Sequence, residues 1–322
     1  MKILITGSNG YIGSILGTYL KNKKYNIIGI DKKTDNKFVK FNQKKCDLNH
    51  INLLKNKIKK ISPDIVIHLA GESTIDNIQN KKKYLSNNIV ATSNLVKICK
   101  KENIRNFIFS STAAVYKETN KKITENFKTE PNNIYGKTKL KAEKIIKKEF
   151  KDKKFNFILF RFFNVCSSMN YIGENHNPET HLIPIAVQKR LENKKLYIYG
   201  NNFKTKDGTC VRDYIHIKDL CNAFYRAIKI FKKEKEIKQI INLGTKNGLS
   251  ILQIIKFFKK KLMYEVKKKR TGDNDILVCD NKKAKKILDW KPKNSNLSKI
   301  IKDEINWYKF MKKNKIKRIS KY

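Results

Sequence analysis

Residues 2–20 read KILITGSNGYIGSILGTYL, and the order of residue types in this stretch decides the fold. Lys2 to Thr6 is a short apolar strand, Gly7-Ser8-Asn9-Gly10-Tyr11-Ile12-Gly13 is a glycine-rich turn, and a helical run continues to Leu20. Strand, glycine turn and helix in that order form the setting in which such glycines hold a dinucleotide. Gly7 permits the tight turn, Gly10 lets a pyrophosphate approach the backbone, and Gly13 lets the helix pack on the strand. The helix N-terminus then offers N–H groups to the phosphates. A second strand, Tyr25 to Ile30, ends in Asp31, near the spacing expected of an acid that binds ribose hydroxyls. A carboxylate there repels a 2′-phosphate, so the expected cofactor is NAD rather than NADP.

Further strands alternate with helices. A possible third strand precedes Cys46-Asp47-Leu48, Asp64 to Leu69 opens into Ala70-Gly71, and Asn106 to Ser110 runs into Ser111-Thr112. Helical periodicity covers Ile51 to Ile61, Ile89 to Lys100 (with Asn87-Asn88 at its start) and Lys139 to Phe150. This predicts an α/β fold, a Rossmann-type doubly wound parallel sheet, followed by a smaller α/β C-terminal substrate domain. The expected division is 1–164 and 165–322, with the 212–228 segment returning to pack on the first part. Beyond Lys232 a strand (Gln239 to Leu243), a helix (Ser250 to Leu262) and a terminal helix (Leu297 to Met311) are expected, then a solvated basic tail, Lys312 to Lys321.

With 73 basic and 28 acidic residues in 322, the formal charge is +45. Only seven of the basic residues are arginine: Arg105, Arg161, Arg190, Arg212, Arg226, Arg270 and Arg318. Nucleic-acid recognition favours the bidentate guanidinium. Lysine, asparagine and isoleucine, all with A/T-rich codons, are inflated together along the whole chain. The charge therefore reads as codon drift that draws in anionic small molecules, and a nucleic-acid partner is not expected. Six scattered cysteines form no CxxC pair and share no metal-ligand spacing with the five histidines. Reduced thiols in a cytoplasmic protein and no metal are expected. No signal peptide is evident, and no apolar run approaches the ~20 residues of a membrane span.

Tyr135 and Lys139, four residues apart, share one helix face. A phenol ionises near pKa ~10, and a fixed ammonium beside it favours the phenolate, so the pair can form a general base. Ligands in such sheets collect at the carboxyl ends of strands, where Gly7, Asp31, Ala70 and Thr112 lie. The Thr112 hydroxyl could bond a substrate oxygen beside Tyr135, or simply cap its own backbone.

These residues, with His68-Leu69-Ala70-Gly71 and Asn87, resemble the extended short-chain dehydrogenase/reductase superfamily. Six later stretches narrow the resemblance to the UDP-glucose 4-epimerases: Arg161 to Val165, Gly173-Glu174-Asn175-His176-Asn177-Pro178-Glu179-Thr180-His181-Leu182, Asp207 to His216, Asn242 to Thr245, Arg270-Thr271-Gly272-Asp273 and Asp289 to Pro292. The resemblance implies that Tyr135 takes the proton from sugar O4 while C4 passes hydride to NAD⁺, and that Lys139 bonds the nicotinamide ribose and holds the phenolate. The 4-keto sugar then turns over and takes the hydride back on its other face, so NAD stays bound. It further implies that Tyr11, Ile12, Asp47, Leu48, Leu69, Ala70, Gly71, Asn87 and Phe163 contact the cofactor. Asn164, Leu182, Tyr197, Ile198, Tyr199, Arg212, Arg270 and Asp273 would contact the UDP-sugar, with Thr112 and Tyr135. A homodimer built on the helices around Ile89 and Tyr135 is implied as well.

Two departures, at Glu72-Ser73 and at Leu277, bear on this. Glu72-Ser73 stands where these epimerases carry a leucine and a nicotinamide-facing lysine, and the loop resembles that of the nucleotide-sugar dehydratases. Dehydration, however, needs an acid/base pair at Ala113 and Ala114, whose side chains cannot move a proton. Leu277 is of intermediate size where N-acetyl room is limited, which leaves N-acetyl sugars open; the same chemistry on UDP-xylose/arabinose, UDP-glucuronate or UDP-N-acetylglucosamine is the alternative to UDP-galactose and UDP-glucose. A different class, a dinucleotide-sensing or RNA-binding protein on a retired reductase fold, is opposed by the intact Tyr135, Lys139 and Thr112.

Overall fold

The structure, a computed structural model, describes residues 1–73, 81–233, 236–259, 261–270, 272–316 and 319–320. Thr271 of the Arg270-to-Asp273 motif and Lys317, Arg318 and Lys321 of the basic tail lie outside the described residues, and the tail expected to be a solvated end instead pairs Ile319–Ser320 in parallel with His176–Asn177. In chain order the elements are β1 (Lys2–Thr6), α1 (Tyr11–Asn22), β2 (Asn26–Asp31), β3 (Asn42–Lys45), α2 (Ile51–Ile61), β4 (Ile65–His68) and α3 (Lys81–Tyr84). A π-helical turn, Leu85–Val90, joins α3 to α4 (Ala91–Lys101), followed by β5 (Asn106–Thr112), α5 (Ile134–Glu149) and β6 (Asn156–Phe162). The remainder comprises β7 (Asn164–Cys166), β8 (His176–Asn177), α6 (Leu182–Leu191), β9 (Leu196–Tyr199), β10 (Val211–His216), α7 (Ile217–Lys233) and β11 (Lys238–Leu243). Then come β12 (Gly248–Ser250), α8 (Ile251–Phe257), β13 (Tyr264–Lys267), β14 (Ile276–Leu277), α9 (Lys282–Leu288), α10 (Leu297–Lys313) and β15 (Ile319–Ser320).

Seven parallel strands form the main sheet in the order β11-β6-β5-β4-β1-β2-β3. Successive residues of each inner strand face opposite sides. Ile3, Ile5, Ile65, Ile67, Ile108 and Ile158 pack under α1, α7 and α9. Leu4, Val66, Phe107, Phe109, Phe157 and Leu159 pack under α2, α4 and α5. Both faces are covered, which is why these strands are apolar without alternation. A third core, built from α6, β9, α8 and α10 around Trp307, underlies the second half.

The return of the chain to the first layer goes further than the 212–228 segment expected from sequence. Helix α7 packs against α1, and β11 pairs in parallel with β6 as the seventh strand, Lys238 opposite Phe157 through Leu243 opposite Phe162. The helix expected to reach Leu262 stops at Phe257, after a capping box in which Ser250 and Gln253 exchange hydrogen bonds. All six cysteines are buried and unpaired.

Candidate active site

Along the carboxyl ends of the main strands runs a cleft of about 1650 Å³, walled on its far side by the second half. The turn after β1 shapes one end. Gly7 is left-handed at φ +72°, and a Cβ there would lie 2.6 Å from the Ala70 nitrogen. A Cβ on Gly13 would strike the Gly7 carbonyl at 2.1 Å, so α1 lies against the turn as only glycine permits. A Cβ on Gly10 would meet nothing closer than 3.5 Å, so its Cα is open to the cleft, while its N–H turns back to the Gly7 carbonyl at 3.3 Å. Opposite, the Asn9 N–H donates to Asp31 Oδ2 at 2.9 Å. Burial pushes the Asp31 carboxyl up while the Asn9 and Lys33 amides oppose it. Lys32 Nζ bridges Asp47 at 3.1 Å and Asn87 at 2.9 Å. A cradle with an open Gly10, an acid at the end of β2 and a basic bridge beside it fits a dinucleotide.

At the centre stand Thr112, Tyr135 and Lys139. Asn133 caps α5 by accepting the Gly136 N–H at 2.8 Å, so the helix starts at Ile134 and sets Tyr135 and Lys139 one turn apart facing the cleft. Of the two roles considered from sequence, the structure shows the cap: the Thr112 hydroxyl accepts the Ala114 N–H at 3.1 Å, closing the short 3₁₀ turn Ala113–Val115, and the same hydroxyl stands close enough to the Tyr135 phenol to hold its pKa down. Against the pull of a fixed ammonium on the phenolate stands burial, which acts on both groups. Burial drives Tyr135 up to about 12, with Thr112 opposing. Burial likewise drives the Lys139 amine down to about 7, with Glu143 opposing. A dry site penalises each charged form separately.

One turn beyond Lys139, Glu143 is fully buried and grips Arg161 through two bonds, Nε–Oε1 at 2.9 Å and Nη2–Oε2 at 2.7 Å. Ser111 Oγ adds a third at 2.5 Å, and the guanidinium lies over the Tyr116 ring. Here an arginine retained among lysines serves a structural fork. Arg226 does the same, reaching Asn222, Leu288 and Asp289. Arg212 and Arg270 instead line the cleft. Arg270 stacks on Tyr199 at 3.7 Å from the ring centroid, while Arg212 donates to the Val211 and Asn274 carbonyls with Asp273 at 3.8 Å.

Of the residues singled out from sequence, two fall outside the cleft lining. Ile198 lies between Tyr197 and Tyr199 on β9, so strand alternation turns its side chain into the third core. Leu182 opens α6 and packs on the same core. The others, Gly7, Gly10, Tyr11, Ile12, Gly13, Asp31, Asp47, Leu48, Leu69, Ala70, Gly71, Asn87, Thr112, Tyr135, Lys139, Phe163, Asn164, Tyr197, Tyr199, Arg212, Arg270 and Asp273, all line it.

Sequence reasoning passed over Asn88, which is buried and clamps the Glu72 backbone, accepting its N–H at 2.7 Å and donating to its carbonyl at 3.1 Å. The π turn that carries Asn88 widens the helix there, a distortion frequent at functional sites. Glu72, paired with Lys83 at 3.4 Å, lines the cleft. Also unforeseen is the gathering of Glu174, His176, Glu179 and His181 on one wall. A search for Cys–His spacing could not find it, whereas a search for His and Glu within eight residues would. Burial would raise Glu174, yet His181 and His176 hold its carboxyl well below the usual range, and Glu174 raises His181 to about 10.

Glycine cradle, seven-stranded parallel sheet and a Tyr–Lys–Thr cluster in one cleft define an NAD-dependent enzyme of the short-chain dehydrogenase/reductase type. The particular family follows from comparison with known proteins: the chain belongs to the NAD dependent epimerase/dehydratase family, whose pattern matches residues 3–244. It is 35% identical to the UDP-glucose 4-epimerase of Lactobacillus helveticus over 96% of this chain and 97% of that one. The crystal structure of UDP-glucose 4-epimerase from Brucella ovis in complex with NAD superposes with a TM-score of 0.89 at 29% identity, over 95% of this chain and 97% of that one. The Bifidobacterium longum UDP-glucose 4-epimerase, solved with NAD⁺ and UDP, gives 0.88 at 29% identity, over 98% and 99%.

Proposed function

We propose that this protein interconverts UDP-galactose and UDP-glucose by reversible inversion at the sugar C4, with NAD kept bound throughout. The observation that carries the reading is Thr112 beside Tyr135, followed on the chain by Ala113 and Ala114, in the cleft that also holds the glycine cradle and Arg212 and Arg270. That site can move one proton at one sugar oxygen and has no second acid/base pair to eliminate water. When bound, NAD supplies a hydride acceptor and donor at C4 and a positive charge beside the phenol. Tyr135 takes the O4 proton and returns it, and Thr112 steers the same oxygen through its hydroxyl. Lys139 orients the cofactor ribose and, protonated, holds the phenolate. Arg212 and Arg270 clamp the diphosphate, with Tyr197 and Tyr199 beside the nucleotide. The 1–164 part serves the cofactor and 165–322 the UDP-sugar, with α7 and β11 lent back to the first.

Purified protein incubated with UDP-galactose should yield UDP-glucose, resolved by proton NMR, and release one NAD per chain on denaturation. NAD-loaded protein that leaves UDP-galactose unchanged overturns the substrate, and UDP-xylose, UDP-glucuronate and UDP-N-acetylglucosamine run in parallel decide among the alternatives. Tyr135→Phe should lose at least ~10³-fold in kcat while retaining NAD. The enzyme is proposed to work in the cytoplasm as a homodimer. Leu85 and Val90, 39% and 47% exposed on the helical face near Ile89, support the pairing, which light scattering tests.

A further inference from the structure

The loop Gly173–His181 carries four metal-ligating side chains within eight residues. Glu174 Oε1 stands 2.7 Å from His176 Nδ1 and 2.6 Å from His181 Nδ1, and Glu179 Oε1 is 3.3 Å from His181 Nδ1. One ligand atom from each of the four lies within 4.8 Å of all the others. Donors about 2.1 Å from a common ion stand ~2.7–3.4 Å apart across angles of 80–110°, and ~4.2 Å apart when opposite. The three closest spacings, 2.6–3.3 Å, already fall in or within about 0.1 Å of that range, and the remaining pairs, all within 4.8 Å, need at most about 0.6 Å of closure. The donor set, two imidazoles and two carboxylates, is the nitrogen-and-oxygen chemistry that suits a zinc-class divalent cation.

A second, independent observation comes from Glu174. Its side chain is 1% exposed, and its Oε2 is buried with no hydrogen-bond partner among the described residues. A buried carboxylate oxygen without a donor costs free energy and calls for an ion or a water. A divalent cation would take the place of the proton that His181 shares with Glu174 and cancel the two carboxylate charges. The loop is built to place it. Trp307 Nε1 donates to the Glu174 carbonyl at 2.8 Å, and Gly173 sits so close to the Trp307 ring that a Cβ would clash at 2.5 Å. At the far end Glu179 Oε1 accepts the Thr180 and His181 N–H groups at 2.8 and 2.9 Å, fixing the carboxylate where α6 begins.

We propose that Glu174, His176, Glu179 and His181 bind one zinc-class divalent cation that closes the Gly173–His181 loop into the cleft wall. The ion is structural to that wall: it ties the Trp307-anchored end to the start of α6, between which Asn175 and Thr180 also face the cleft.

The test uses the full chain with NAD bound. After EDTA treatment and desalting, protein dialysed against Zn²⁺ and then against metal-free buffer should retain one zinc per chain by plasma mass spectrometry. The His176→Ala/His181→Ala double variant, checked for fold by circular dichroism and NAD content, should bind at least ~100-fold more weakly and retain about none. In a measurement that needs no variant, Co²⁺ added to the stripped protein should give visible d–d bands of a nitrogen/oxygen site without a thiolate charge-transfer band. Zinc retained equally by both proteins, none retained by the wild type, or a cobalt spectrum with thiolate character each overturns the assignment.

Discussion

Lys139 sets a conflict between stability and function that can be measured. Its side chain is 4% exposed, with Nζ 4.6 Å from the Phe109 ring centroid. The acid one turn away, Glu143, is already engaged by Arg161 and Ser111. Burial therefore lowers the Lys139 amine from 10.5 to about 7. The difference of ~3.5 units corresponds to at most about 5 kcal/mol of destabilisation when the amine is charged. The sign follows from proton counting. Between pH 7 and 10.5 the unfolded chain holds a proton on this lysine that the folded chain has lost, so stability rises with pH across that window. Below pH 7 both states hold it and the full penalty stands. Lys139→Met matches the length without the charge, so the cofactor-free variant should be several kcal/mol more stable than wild type at pH 6. The advantage should shrink steadily towards pH 10. Urea unfolding of both proteins at pH 6, 7, 8, 9 and 10 measures the difference, and turnover should fall by at least ~10²-fold in the variant. Equal stability at pH 6, or an advantage that does not change with pH, refutes the reasoning.

Arg161→Met leaves the Glu143 carboxylate buried without its fork and should cost about 3–5 kcal/mol in urea unfolding, most of it recovered by adding Glu143→Gln; a loss under ~1 kcal/mol would contradict the buried pair. Arg270→Lys cannot lie flat on the Tyr199 ring, so KM for UDP-galactose should rise ~10-fold with kcat within about twofold. A lower kcat at unchanged KM would place Arg270 elsewhere in the reaction. Asp31→Ala removes a charged acceptor worth ~1.5–3 kcal/mol, so NAD affinity should fall ~10–100-fold and discrimination against NADP should weaken, both read by fluorescence titration. Unchanged discrimination would mean that Asp31 does not face the ribose.

The layers of the fold were legible because they depend on local pattern. Lys2 to Leu20 shows strand, turn and helix without reference to the rest of the chain, and strands buried on both faces are as apolar as β4 and β6. What stayed hidden depends on distant partners. That β11 pairs with β6 is a contact across some eighty residues. On β9, Leu196-Tyr197-Ile198-Tyr199 has no polar residue to reveal its phase, so Ile198 could not be assigned to the core until that core was seen. The direction of the Tyr135 and Lys139 shifts depends on how completely the two groups are dehydrated, a property of the whole cleft. Arg161 shows the same limit: its fork is closed by Glu143, which lies eighteen residues away on another element and which no local pattern marks as its partner.

The seventh strand also bears on how the protein is made. Residues 163–237 are synthesised between β6 and β11, so β6 emerges with one edge lacking its neighbour. During that interval its outer N–H and C=O groups, flanked by Phe157, Leu159 and Phe162, form an open strand edge able to pair with another nascent chain. The first layer becomes complete only after Leu243 has emerged, when β11 seals that edge. Cleavage of the chain between α7 and β11 would separate the last strand from its helix, so that neither product holds the whole sheet in one covalent piece.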